Sequence, residues 1–131
     1  MTLGKMAIRT GLMLIFTTAT MSAAAVTLAD AKLLAERSES SLTTRQRDAL
    51  VDAQGRMAAS AFHVCARQLS GEPATGFAIV AELDSRGKVV EIWQSQRTAF
   101  TMCFGDVMKS DLSFVPPLLP FYTAFEYSSA K

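Results

Sequence analysis

The sequence predicts an α+β domain in the order α-β-β-α-β, a three-stranded antiparallel sheet with two helices on one face. Three observations predict it. Apolar residues recur at spacings of three, four and seven between Leu50 and Leu69, and the spacing then changes to two from Phe77 to Leu83. A tight turn, Asp84-Ser85-Arg86-Gly87, separates that alternating run from a second run rich in β-branched residues. A further helical pattern and a proline-broken segment then lead into a terminal aromatic strand.

The domain is preceded by a different kind of segment. Lys5 and Arg9 are followed by an uncharged stretch from Thr10 to Ala29, apolar over residues 11–16 and small over 19–25. Basic, apolar and small in that order is the pattern of a secretory signal peptide, expected here over residues 1–29. Sites of A-x-A type occur at Ala23-Ala24-Ala25 and at Ala29-Asp30-Ala31, and both remain open from sequence. The alternative is an uncleaved inner-membrane anchor over residues 10–29, just long enough to cross a bilayer. The expected location is periplasmic or secreted, and the membrane is a partner only if the anchor stays.

Residues 30–42 form a short N-terminal segment, in which 31–37 could make a short helix before a serine-rich break. The single small domain occupies 43–131. Thr43 or Thr44 can cap its first helix, because a hydroxyl accepts from an orphan amide of the first turn. Leu50, Met57, Ala61, Val64, Cys65 and Leu69 form its apolar stripe, and Ser70-Gly71-Glu72-Pro73 ends it. Phe77, Ile79, Ala81 and Leu83 alternate with Ala78, Val80, Glu82 and Asp84, which reads as a half-buried strand. Gly87 supplies the positive φ of the turn, and residues 88–94 return as the second strand. The second helix runs over about 98–109 with Ser95 or Thr98 as its cap, and Phe100, Cys103, Phe104 and Val107 share a face. Val115-Pro116-Pro117-Leu118-Leu119-Pro120 can be neither helix nor central strand. Residues 121–127 make the third strand.

The chain has 131 residues, enough for one core, with 13 basic and 12 acidic side chains. Loss of Lys5 and Arg9 with the leader leaves eleven against twelve. So balanced a charge gives no electrostatic reason to expect nucleic acid, which usually leaves a basic patch. The two cysteines, Cys65 and Cys103, form an even count in a chain read as exported, and their one intramolecular pairing is a disulfide. The alternative is a pair of buried thiols.

Cys65, the run Gly76-Phe77-Ala78-Ile79-Val80-Ala81-Glu82-Leu83-Asp84, Gly87-Lys88-Val89, Cys103 and Pro116-Pro117 before an aromatic strand together resemble the C-terminal domain of TonB-family proteins, in its AgmX/PglI type. The resemblance covers about residues 60–127. It implies a periplasmic domain that binds protein partners, with a cysteine in each of its two helices. The chain departs from the family in having no proline-rich spacer, and Ser110-Asp111-Leu112-Ser113-Phe114 stands where an Arg/Trp-rich helix end is expected. The resemblance therefore implies the fold more strongly than energy transduction.

No residue set points to catalysis. His63 is the single histidine, and at i and i+2 on a helix it shares no face with Cys65, so no metal set forms. Met57, Met102 and Met108 sit on helices, where methionine fills core gaps. Glu82, Asp84 and Glu91 cluster on a hairpin rather than in a cleft that would tune their acidity. Seven scattered glycines make no phosphate loop, and no cofactor is implied. What remains is a surface: Trp93 on the second strand and Phe121, Tyr122, Phe125 and Tyr127 on the third. Trp93 faces outward if Val90 and Ile92 meet the helices, or is partly covered by the proline segment. The last strand, if at an edge, offers unpaired backbone groups to a partner strand. The expected function is an exported interaction module that binds an envelope protein, or a second copy of itself, through a sheet edge. The alternatives are a small secreted enzyme, or an inhibitor or structural envelope protein for which 110–120 is the candidate loop.

Overall fold

A computed structural model describes residues 25–129; most of the leader expected over 1–29 lies outside them. Three helices and a three-stranded antiparallel sheet form the α+β fold that the sequence predicts. Helix α1 is Leu28–Ser40, α2 is Thr44–Cys65 and α3 is Ala99–Asp111. Strands β1, Phe77–Leu83, β2, Val89–Gln94, and β3, Phe121–Tyr127, lie in the order β2-β1-β3. No helix among the described residues is long and apolar enough to cross a membrane.

Each helix starts on a threonine. Thr27, Thr43 and Thr98 accept a hydrogen bond from the third helical amide, and the side chain at that position accepts one from the cap amide. Two orphan donors are satisfied at each start, which fixes the boundaries to the residue. Helix α2 ends by tightening into a short 3₁₀ turn, Ala66–Leu69, and leaves through Ser70 and Gly71, both at positive φ.

Helices α2 and α3 pack on one face of the sheet. Leu50, Ala53, Met57, Ala61 and Cys65 of α2 and Phe100, Phe104, Val107 and Met108 of α3 meet Ile79, Ala81 and Leu83 of β1. Val64 is the exception to the predicted stripe and is exposed. Cys65 and Cys103 are joined, with Cα atoms 5.8 Å apart across a sequence separation of 38. Closing a loop of that length stabilises the chain by about 4 kcal/mol on entropy alone.

The second face of the sheet is covered as well, against the expectation of an open face. Helix α1 is longer than the segment predicted at 31–37, and it lies across that face. Its Ala31 and Ala35, one turn apart, are 0% and 1% exposed against Val80, Tyr122, Trp93 and Ala124. Two alanines let the helix approach the strands closely. For that reason β1 is not half-buried: Ala78 and Val80, expected toward solvent, are buried, and the strand is enclosed on both faces.

The hairpin turn forms as predicted. Asp84 Oδ1 accepts from the amides of Arg86 and Lys88, both at 2.9 Å. Gly87 has φ +80°, and a Cβ there would stand 2.5 Å from the Phe114 carbonyl oxygen. The turn is thereby seated against the proline segment. Glu82 pairs with Glu91 while Leu83 pairs with Val89, so Val90 is an extra residue, a β-bulge beside the turn.

Candidate functional site

The aromatic surface expected from the sequence is largely internal. Phe121 is 1% exposed and packs 5.5 Å from Phe114, ring to ring. Tyr122 is buried beneath α1, 5.8 Å from Trp93, which is half-buried. Phe125 and Tyr127 point to the other face and join a cluster with Phe62, Phe77, Phe100 and Phe104, at centroid distances near those of Phe104 to Phe125 and Phe62 to Tyr127, both 5.1 Å. Alternation along β3 sends its rings to both faces, and helices cover both. Trp93 is held by α1 rather than by the proline segment: its indole Nε1 donates to the Val26 carbonyl at 2.9 Å. Burial raises the Tyr122 hydroxyl above the usual phenol range, and the nearby Glu82 carboxylate adds to the shift.

The sheet has two edges, β3 and β2, and they differ in kind. Along β3 the residues whose backbone turns away from β1 include Tyr122 and Ala124. Their groups are taken by helix side chains. The Tyr122 amide donates to Ser38 Oγ at 3.1 Å and the Ala124 amide to Glu39 Oε1 at 3.0 Å. The Ala124 carbonyl accepts from Gln54 Nε2 at 3.1 Å. Thr123, buried between them, donates its hydroxyl to Glu39 Oε1 at 2.6 Å and accepts from Gln54 Nε2 at 2.7 Å. The end of α1 and the middle of α2 therefore seal the edge that the sequence reading left open. The ion pair beside it, Lys32 to Glu126 at 3.3 Å, is exposed and adds little.

Along β2 no such cover exists among the described residues. The Ser95 amide donates to the Ala78 carbonyl at 3.0 Å, which sets the alternation of the ladder. Glu91 and Trp93 turn their backbone groups to β1, and Ile92 and Gln94 turn theirs outward. A groove of about 510 Å³ runs along this edge. Its walls are Leu28 and Trp93 on one side and Met102, Gly105, Asp106 and Lys109 of α3 on the other. Gln94 is pinned across it, its amide donating to the Thr101 carbonyl at 2.7 Å. Gly105 permits this, because a Cβ there would stand 2.6 Å from Gln94 Nε2. The floor of the groove is thus fixed before anything enters it.

Glu91, Arg97, Asp106 and Lys109 give the groove both signs of charge. Among the described residues no group of three or more His, Cys, Asp or Glu side chains converges to hold a metal ion. His63 is exposed on α2, and Glu82, Asp84 and Glu91 do not face a common cavity. The arrangement can offer hydrogen bonds to an extended chain. The last strand is an edge, as the sequence reading allowed, but its outward backbone groups are taken by side chains of α1 and α2. The residues that could have shown this lie in α1, where Ala31 and Ala35 sit in the expected short helix and Ser38-Glu39 in the expected serine-rich break. No family model, curated protein or solved structure matches the chain.

Proposed function

We propose that the chain is an exported interaction module of the cell envelope that binds an extended segment of a protein partner along β2. The observation that carries the reading is the difference between the two edges: β3 is sealed by Ser38, Glu39 and Gln54, while Ile92 and Gln94 present outward backbone groups beside a groove. A strand added there gains main-chain hydrogen bonds from Ile92 and Gln94, and its alternate side chains meet Met102 and Lys109 or Leu28. The basic-apolar-small order of the N-terminus supports export, and so does a disulfide, which persists in oxidising compartments. The resemblance to TonB C-terminal domains supports the same reading, since binding without a catalytic centre is what that resemblance implies.

A photo-reactive side chain at position 102, on the rim of the groove, tests this. Met102 is 48% exposed, and Val51, 59% exposed on α2, serves as the control position. In envelope extract, position 102 yields an adduct of discrete mass and position 51 yields none. Equal labelling from the two positions, or none from 102, overturns the reading.

A second reading has one observation in its favour. Val115, Leu118 and Leu119 of the proline segment are all exposed. An inhibitor-type or structural protein would present such a loop, and it would give its adduct from position 118 rather than 102.

A further inference from the structure

We infer that the leader is removed between Ala25 and Val26, so that the mature chain begins Val26-Thr27-Leu28. The inference rests on the export reading above and goes beyond it by assigning the bond. Two sites of the required small-residue type end at Ala25 and at Ala31. The fold treats them differently.

Ala31 lies inside α1 and is fully buried against the sheet. A cut after it would remove the cap and the first turn of that helix. It would also detach Ala31 from the core that Val80 and Tyr122 complete. Ala25 is exposed and belongs to no element, the condition in which backbone is open to a protease.

The first atoms that the fold uses fix the boundary more closely. The Val26 carbonyl accepts the Trp93 indole hydrogen at 2.9 Å. The Thr27 amide donates to Asp30 Oδ2 at 3.3 Å, and Thr27 Oγ1 accepts from the Asp30 amide at 3.2 Å. That carbonyl and that amide belong to one peptide group, between Val26 and Thr27. A cut at that group removes the carbonyl that holds Trp93, and any cut after it removes the Thr27 cap as well. A cut one bond earlier spares them. There a processing peptidase adds water across the Ala25–Val26 bond, leaving a carboxylate on Ala25 and an amine on Val26. Val26 is exposed, and none of the hydrogen bonds of the described residues uses its amide. The bond that satisfies the small-residue requirement is therefore also the last one whose loss costs the fold nothing.

The test is expression of the full chain in a Gram-negative host, followed by N-terminal sequencing and intact mass of the product in each cell fraction. The expected first residue of the periplasmic form is Val26. Ala25→Leu places a bulky side chain at the cut without touching an element, and processing then falls by at least about tenfold. A periplasmic product that begins at Lys32, or an Ala25→Leu chain processed as fast as wild type, overturns the assignment and leaves export standing. Full-length chain in the membrane overturns the assignment alone. Full-length chain confined to the cytoplasm overturns both.

Discussion

Glu39 accepts two hydrogen bonds from β3 through one carboxylate oxygen, from the Thr123 hydroxyl and from the Ala124 amide. Both donors sit where water has little access, so removal of the acceptor leaves them unmatched. Glu39→Ala is expected to cost roughly 2–3 kcal/mol, a fall in melting temperature on the order of 10 °C. It also opens β3, so the variant should self-associate where the wild type does not, which light scattering reads directly. None of this was legible in the sequence. Glu39 lies 84 and 85 positions from its partners, in a serine-rich stretch that looks like a solvated break. Tyr122 makes a second prediction at this scale. Its hydroxyl is raised by burial and then by Glu82, so the folded state holds its proton more tightly than the unfolded chain does. That contribution is complete below about pH 10 and is lost as pH rises through the folded value. Stability should therefore decline with rising alkalinity, and Tyr122→Phe should flatten the decline. An unchanged alkaline limb in the variant would assign it elsewhere.

The elements themselves were largely readable. The change of apolar spacing at Gly76, the Asp84–Gly87 turn and the threonine caps located α2, α3 and all three strands within a few residues. Those signals are local, and local physics decides them. Helix α1 was underread because alanine is a weak apolar signal, although Ala31 and Ala35 are both buried against the sheet. The docking of that helix on the sheet then changed the state of β1, Trp93 and Tyr122 together. Gly87 carries the prediction at this scale. Its positive φ and its approach to Phe114 leave no room for a side chain. Gly87→Ala should cost at least about 2 kcal/mol, and it should act through both the turn and the proline segment. A thermal melt within a degree or two of wild type would show that the turn is not seated as described.

The described residues form two cores on either side of one sheet, a larger one under α2 and α3 and a smaller one under α1. The disulfide fastens the larger core, from the end of α2 to the middle of α3. Its pairing was expected from the count of two cysteines in a chain read as exported, with no geometry needed. Reduction should lower the melting temperature by roughly 15–20 °C, since a bridge of this span is worth about 4 kcal/mol in a domain of this size. Equal melting with and without reductant would remove the bridge from the account. With both faces of the sheet occupied and β3 sealed, β2 is the edge left open to the proposed partner strand. The most direct measurement is residue-resolved amide hydrogen exchange on the free oxidised chain. The amides of Ile92 and Gln94 should exchange at least about tenfold faster than those of Glu91 and Trp93, while Tyr122 and Ala124 stay protected. Slow exchange at Ile92 and Gln94 in a monomer, or fast exchange at Tyr122 and Ala124, would contradict it.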